Sequence, residues 1–261
     1  MPCKFHFLNV GYGSCIILEW NGKIIVVDCK KGSKEYNEDN LTDYIKTPDI
    51  ELLIITHPHI DHFDGVYEIF EKNIEIKEVW ITPYDLRKED IESDPESYKE
   101  YFILIDTIKN YGIPIKKVSR SKKPLYFSED TPGEQIFVLN PPKNINQEKN
   151  RIVHDGCIVL KVITSGKTAV LGSDARDLTW KVIDDYASNL LPGDIFNVSH
   201  HGAADGLEKG VLEKINPEYI ILSSKTEVYE GIPDPETIDY YKDFKKGKFL
   251  RTDEDGTIVI G

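Results

Sequence analysis

The chain has 261 residues, of which 40% are hydrophobic and 30% charged, a composition that excludes disordered and fibrous proteins and allows a sizeable core. Its 32 Lys and Arg against 45 Asp and Glu give a net charge of −13, which opposes non-specific nucleic acid binding unless a basic patch or metal ions assist. Four cysteines are too few for a disulfide scaffold at this length. No signal peptide or apolar run of ~20 residues is visible, so we expect a soluble cytoplasmic protein without a membrane partner.

Hydrophobic periodicity predicts strands that alternate with hairpins and helices along the chain. Strands are predicted at 4–10, 15–20, 23–28, 51–56, 75–81, 135–139, 157–164, 168–171, 195–198, 219–222 and 257–260, with short ones near Ile115 and Tyr126. Helices are predicted at 40–46, 63–72, 95–111, 176–190 and 235–244. This order predicts a single α/β domain over residues 1–261, with two packed sheets inside and helices outside.

The seven histidines are unevenly distributed. Three of them fall in the segment HPHIDH at 57–62, directly after an apolar strand, and His200 and His201 are adjacent after another strand. Neutral imidazole is a good ligand for zinc, and a carboxylate adds the negative charge that holds two dications close together. Side chains spaced in this way converge when they form a loop at the end of a strand. The pattern therefore favours a metal site over a polar surface loop.

Several segments resemble those of one known family. THPHIDHFDG resembles the His-x-His-x-Asp-His signature of the metallo-β-lactamase superfamily. LNVGYGSCIIL, VVDCKKG, VLGSDA, VSHHGAADG and RTDEDGTIVI resemble, in the same order, segments of its competence-protein (ComEC-like) branch. Their order and spacing over nearly the whole chain make the resemblance specific. It implies a four-layer αββα sandwich with two divalent metal ions at one edge of the sheets.

The resemblance implies that His57 and His59 bind the first ion with a further histidine and the bridging Asp174. We predict that His154 is this histidine, because it lies three residues before the strand that begins at Cys157, where the superfamily places its third histidine. The branch's later His-Pro is also missing here. Such a nitrogen-rich set of four ligands favours zinc, with manganese as the alternative metal.

The second ion is expected to bind Asp61, His62 and the same Asp174. One of His200 and His201 would complete this site. His200 is preferred because it comes first after the strand, but the sequence does not separate the two.

Three further features are predicted to support the site. Asp28 is expected to orient a ligand histidine, with a structural salt bridge as the alternative. Lys225 is expected to contact a substrate phosphate. The run KKVSRSKK at 116–123 could attract a phosphate backbone, although such runs are commonly solvated loops.

The resemblance implies a dinuclear metal-dependent hydrolase in which a hydroxide bridging the ions is the nucleophile. Asp61 would orient that nucleophile or carry its proton. Two ions about 3.5–4 Å apart suit phosphodiesters, which favours a phosphodiesterase or nuclease acting on nucleotides, nucleic acid or a phosphorylated small molecule.

Two alternatives remain open, because the chain departs from the branch. It has Ala203 where the branch commonly has Ser, and no His at either Ile232 or Asp234. The first alternative is hydrolysis of a lactone, thioester or amide. The second is a non-catalytic, metal-stabilised regulatory module, which needs only four ligands and so explains the ligand set less well.

Overall fold

A computed structural model describes residues 3–128, 131–206 and 209–261 of the chain. The strands, in chain order, are β1 Lys4–Phe7, β2 Cys15–Trp20, β3 Lys23–Cys29, β4 Asp49–Ile50, β5 Leu52–Ile55, β6 Glu75–Ile76, β7 Val79–Ile81, β8 Ile115–Lys117, β9 Tyr126–Phe127, β10 Gln135–Asn140, β11 Val159–Ile163, β12 Thr168–Leu171, β13 Ile195–Asn197, β14 Tyr219–Leu222, β15 Lys248–Arg251 and β16 Ile258–Ile260. The helices are α1 Leu41–Tyr44, α2 Val66–Glu71, α3 Lys88–Ser93, α4 Pro95–Asn110, α5 Asp177–Ala187, α6 Lys209–Ile215, α7 Pro235–Lys242 and α8 Thr252–Asp255.

The longer strands form two seven-stranded sheets. Sheet one has the order β16-β1-β2-β3-β5-β7-β8, and sheet two has the order β15-β14-β13-β12-β11-β10-β9. Strands β3, β5, β7 and β8 are parallel to one another in sheet one, and β12 to β15 are parallel in sheet two. Each sheet therefore presents the carboxyl ends of several neighbouring strands at one edge.

The two sheets pack face to face through the alternate side chains of their strands. Phe5, Leu18 and Ile54 of sheet one lie in the same buried cluster as Val138 and Leu160 of sheet two. The opposite face of sheet one is covered by α1, α2 and α4, and that of sheet two by α5, α6 and α7. This arrangement confirms the predicted four-layer αββα sandwich.

Helix α4 follows from local signals in the sequence. The Asp94 carboxylate accepts a hydrogen bond from the Ser97 backbone N–H at 3.1 Å, which caps the first turn just before Pro95. Gly112, at φ 72°, follows the last turn. With 16 residues it is the longest helix of the described chain, and within the described ranges no helix combines the length and apolar character that crossing a membrane requires.

Some predicted boundaries were wrong. The strand predicted at 75–81 is two short strands, β6 and β7, and the helix predicted at 63–72 begins only at Val66. Helices α3, α6 and α8 and strands β4 and β15 were not predicted. Helix α3 is held by a tertiary contact, because the Arg87 guanidinium donates to the Lys149 carbonyl at 2.9 Å and to the Arg151 carbonyl at 2.6 Å. Such a contact leaves no hydrophobic period in the sequence.

Trp180 of α5 joins the outer helical layer to the loop that follows β13. Its side chain is buried, it lies with ring centres 5.8 Å from Phe196, and its indole N–H donates to the Ser199 hydroxyl at 3.1 Å. We expect Trp180→Ala to lower the free energy of unfolding by about 3–5 kcal/mol, through lost burial and the cavity left behind.

The matched control is Leu178→Ala on the same helix, whose side chain is 45% exposed, so the loss should stay below about 1 kcal/mol. Urea unfolding followed by circular dichroism measures both. Equal losses in the two variants would contradict the packing role given to Trp180.

Candidate metal centre

Three histidines and one aspartate meet at the carboxyl edge of the two sheets. We call His57, His59, His154 and Asp174 the first cluster, since one ligand atom of each lies within 4.8 Å of the others. His59 Nδ1 is 3.1 Å from both His57 Nε2 and His154 Nε2. Asp174 Oδ2 lies 3.5 Å from His57 Nε2 and 3.9 Å from His154 Nε2. This is the set that the sequence predicts for the first ion.

A second cluster, Asp61, His62 and His201, lies beside the first. Asp61 Oδ2 is 3.1 Å from His201 Nε2 and 3.6 Å from His62 Nε2. The two imidazole Nε2 atoms are 3.3 Å apart. The His62 and His201 side chains are buried, whereas that of Asp61 is 17% exposed, which places Asp61 at the mouth of the cluster.

Asp174 connects the two clusters through its two carboxylate oxygens. Oδ2 faces His57, and Oδ1 lies 3.3 Å from His62 Nε2 and 3.6 Å from His201 Nε2. Asp174 follows β12 and is buried. One carboxylate thus offers one oxygen to each cluster, as the sequence predicts for a bridging ligand.

The second ring nitrogen of His57 is fixed by a chain of hydrogen bonds. The Thr56 hydroxyl donates its one proton to Asp28 Oδ2 at 3.0 Å and accepts a bond from the Ser173 hydroxyl at 2.8 Å. His57 Nδ1, 3.1 Å from this hydroxyl, must therefore be the donor in their contact. The remaining lone pair of His57, on Nε2, faces the first cluster.

Hydrogen bonds orient three other imidazoles in the same way. His62 Nδ1 donates to Asp28 Oδ2 at 2.7 Å, and His201 Nδ1 donates to the Ser223 carbonyl at 2.8 Å, so both Nε2 atoms face the second cluster. His59 contacts the Tyr98 hydroxyl through Nε2 at 3.0 Å, so that its Nδ1 faces the first cluster. Metal-binding histidines are normally held by such partners, and Asp28 lies where the sequence predicts an orienting carboxylate.

The histidines of the two clusters differ in protonation state. Burial decides it in the first cluster, and neighbouring carboxylates decide it in the second. Burial lowers the pKa of His57 to about 4 and that of His59 to about 3, and burial also holds the pKa of His154 well below its usual range. These imidazoles are neutral near pH 7, which is the form that binds a metal ion. Burial also opposes a charge on His62, but Asp174, Asp28 and Asp61 outweigh it and raise the His62 pKa. An ion at the second cluster would therefore displace a proton.

The ligand atoms of the two clusters, by their element and their direction, fit two divalent metal ions. The first cluster offers three imidazole nitrogens and one carboxylate oxygen, a set that zinc accepts readily. The second offers two imidazoles and the Asp61 carboxylate, together with the second oxygen of Asp174.

Unusual backbone conformations direct these side chains inward. Asp28, Ser173, His200 and His201 adopt left-handed φ angles of 57°, 46°, 51° and 49°, which non-glycine residues rarely do. Each such residue costs of order 1–3 kcal/mol and persists only where the surroundings enforce it. Gly172 contributes in another way: a Cβ there would come within 2.2 Å of the Ser199 hydroxyl. The segments that carry the ligands thus contain both strained left-handed residues and a glycine where the backbone lies close to its neighbours.

The preference for His200 over His201 in the second cluster is corrected by the structure. Two successive left-handed residues turn the chain sharply after β13, so His201 points inward while His200 points toward Asp205. His200 Nδ1 lies 2.7 Å from Asp205 Oδ1, and its ring centre is 4.4 Å from that of His154. His200 is therefore at the rim of the first cluster, outside both ligand groups.

Two other features predicted to contact substrate belong to neither cluster. The Lys225 ammonium is 2.6 Å from Glu38 Oε1 and 4.2 Å from the centre of the Tyr36 ring, so its charge is already paired. The basic run at 116–123 begins within β8 and continues along β10, where its side chains line a cavity that contains no cluster residue. Contact of either feature with substrate stays a prediction.

Several residues of the site were not predicted. Tyr98 lies on α4, where a helical pattern gives no reason to select one tyrosine. Tyr12 packs on His201 with ring centres 4.6 Å apart, and Tyr229 packs on Tyr12 at 4.7 Å, so two aromatic rings wall one side of the second cluster. Thr56 directly precedes the histidine segment, and that position was the one available signal for its role.

Solved structures share this fold at low sequence identity. No protein-family model and no curated protein matches the chain. The metallo-β-lactamase fold protein YhfI from Bacillus subtilis is 13% identical, covers 100% of both chains and has a TM-score of 0.58. A diphosphatase of the PhnP family is 12% identical over 100% of this chain and 98% of its own, with a TM-score of 0.53.

A third similar structure is CmlA, a diiron β-hydroxylase from Streptomyces venezuelae, with 12% identity and a TM-score of 0.61. The alignment covers 99% of this chain but 54% of CmlA, so the chain spans about half the length of that enzyme. The protein thus has the metallo-β-lactamase fold. The closer resemblance to the competence-protein branch stays a prediction.

The contrasting positions of His200 and His201 can be tested by metal content. We expect His201→Ala to lower the zinc stoichiometry of the loaded protein from two ions to one, because it removes a nitrogen from the second cluster. The matched control is His200→Ala, which should retain two ions. Mass spectrometry of the dialysed proteins measures both, and loss of an ion in His200→Ala alone would contradict the assignment.

Proposed function

We propose that this protein is a two-metal hydrolase that cleaves phosphodiester bonds. The observation that carries the proposal is the Asp174 carboxylate, whose two oxygens face two separate groups of oriented imidazoles. A structural metal site needs a single closed set of four ligands, and the seven groups gathered here exceed it. Zinc is the proposed metal of the first cluster because three of its four ligand atoms are nitrogen.

When bound, two divalent ions supply charge that stabilises the attacking and leaving oxygens and lower the pKa of water to about 7. The ligands of this chain would be His57, His59, His154 and Asp174 for one ion, and Asp61, His62, His201 and Asp174 for the other. Phosphodiesters suit this arrangement because negative charge develops on several oxygens at once. The PhnP-family diphosphatase of the same fold offers a precedent for phosphate substrates.

Asp61 is the residue best placed to handle the attacking water. It is more exposed than the other members of its cluster, so one carboxylate can both face the cluster and reach a water at its mouth. His62 and His201 hold the pKa of Asp61 below its usual value, against the effect of burial. The carboxylate therefore stays ionised near pH 7, ready to orient the water and accept a hydrogen bond from it.

His200 is proposed to contact the substrate rather than a metal ion. Asp205 fixes its Nδ1, and Arg176 Nη1 lies 3.9 Å from the same Asp205 carboxylate. The His200 side chain is only partly buried, so its Nε2 can reach a ligand at the rim of the first cluster. The Tyr12 ring, which packs on His201, would border the bound group at the second cluster.

The proposal predicts turnover of bis-p-nitrophenyl phosphate by the zinc-loaded protein. Asp61→Ala should lower kcat/KM by about 10²-fold or more, because it removes a metal ligand and the group that orients water. The matched control is Asp239→Ala, at an exposed aspartate of α7 outside both clusters, which should leave kcat/KM unchanged.

The same assay with a lactone, a thioester and single-stranded DNA separates the alternatives. Turnover of the lactone or thioester without phosphodiester cleavage, under zinc, manganese or cobalt, would overturn the phosphodiesterase proposal in favour of a carbonyl substrate. Near-full activity of Asp61→Ala would overturn the two-metal mechanism itself.

A further inference from the structure

A second cavity lies on the flank of the sandwich, where the segment after β8 passes the end of α5. Its volume is about 530 Å3. The lining side chains that matter here are Lys116, Arg120, Lys122, Lys143 and Tyr186. It shares no residue with either metal cluster. We call it the basic cavity.

The charge of the basic cavity is not balanced by neighbouring carboxylates. Lys117, also in its wall, pairs with Asp85 at 3.0 Å. Within the described ranges, none of the other four basic side chains of the wall has a carboxylate oxygen within 4 Å. A chain of net charge −13 thus gathers four uncompensated cations in one place. Like charges held together raise the affinity of that place for an anion.

Aromatic rings position these cations instead of acidic partners. The Arg120 guanidinium lies 4.5 Å from the centre of the Tyr186 ring, and the Lys122 ammonium lies 5.2 Å from it. Lys116 lies 5.0 Å from the ring centre of Trp80. A ring face orients a cation without neutralising it, so the charges remain available to a ligand.

One nitrogen of the Arg120 guanidinium has no hydrogen-bond acceptor among the described residues. Its Nη1 is shielded from solvent and has no hydrogen-bond partner in the part of the chain that the structure describes. Shielded guanidinium N–H groups are normally paired. The guanidinium charge is therefore not satisfied within the described chain, and an anion in the basic cavity would compensate it.

The basic run is fixed to the sandwich and is not a free loop. The Arg120 N–H donates to the Pro141 carbonyl at 2.7 Å, and the Ser121 N–H donates to the Val138 carbonyl at 3.0 Å. The backbone therefore holds the run against β10 and presents its side chains together with Lys143. A fixed arrangement of donors loses little entropy when it binds a ligand.

We propose that the basic cavity is a second ligand site, which binds a small molecule carrying two or more linked phosphates. Four cations on two chain segments line a cavity that is much larger than one phosphate group, so a diphosphate or triphosphate matches both its charge and its volume. The cavity volume lies in the ~300–1,000 Å3 range typical of small-molecule sites. This site goes beyond the hydrolytic function, and its failure would leave the metal centre unaffected.

The test is lysine acetylation of the metal-loaded protein, with and without tripolyphosphate, read by mass spectrometry. Bound ligand should slow acetylation of Lys116, Lys122 and Lys143 by at least about threefold, because charge-assisted contacts occupy their ammonium groups. Lys245 and Lys246 are exposed lysines outside the cavity and should react unchanged. The position of protection separates this site from binding at the metal clusters.

The double variant Arg120→Gln/Lys122→Gln should raise the tripolyphosphate concentration for half-protection of Lys116 and Lys143 at least about tenfold. Lys245→Gln/Lys246→Gln removes the same charge and should change it less than about twofold. If the double variant misfolds, the single variant Lys122→Gln takes its place with the same readout. Hydrolysis of bis-p-nitrophenyl phosphate should be the same in all these variants.

Three results would overturn the proposal. The first is unchanged acetylation of Lys116, Lys122 and Lys143 at saturating tripolyphosphate. The second is equal protection of all lysines, which indicates non-specific binding. The third is protection by a single-stranded oligonucleotide but not by tripolyphosphate, which would make the basic cavity a nucleic acid surface.

Discussion

The buried carboxylate of Asp28 holds both clusters of the metal centre in place. Its Oδ1 accepts the Thr56 backbone N–H at 2.8 Å, and its Oδ2 accepts both the Thr56 hydroxyl and His62 Nδ1. Through Thr56 it fixes His57 of the first cluster, and directly it fixes His62 of the second. Two ions a few ångströms apart require two imidazoles of fixed tautomer and direction. One carboxylate meets this requirement for both.

The sandwich brings this network together by placing strand ends at one edge. In sheet one, Asp28 lies at the end of β3 and the histidine segment follows β5. In sheet two, Asp174 follows β12 and His201 follows β13. The bond from Ser173 to Thr56 joins the two sheets at that edge. Packing between the sheets therefore sets the distance between the clusters. Bringing the ligands together strains the backbone, and this strain lies in the left-handed residues next to them.

The sequence predicts the layers of the fold from local patterns, because apolar alternation specifies buried strand faces. The membership of the first cluster is predicted through the resemblance of HPHIDH and the later segments to the metallo-β-lactamase superfamily. The choice between His200 and His201 depends on two left-handed φ angles, which no residue type in that segment requires. Tyr98 and the β15 pairing depend on tertiary contacts, which leave no period in the sequence.

The basic cavity is a second feature that the sequence alone does not predict. The run KKVSRSKK is visible in the sequence, but its lack of carboxylate partners and the placement of Lys143 beside it are properties of the fold. Its separation from the clusters means that a basic run need not guide substrate to the catalytic edge of a protein with net charge −13. Under the two proposals, the metal centre and the basic cavity would bind different anions.

The most direct test of the central claim is the rate of bis-p-nitrophenyl phosphate hydrolysis as zinc is added back to the metal-free protein. If one carboxylate serves two ions that act together, the rate should stay low up to one equivalent and rise to its maximum at two. A maximum at one equivalent, or no hydrolysis at any ratio of zinc, manganese or cobalt, would contradict the two-metal account.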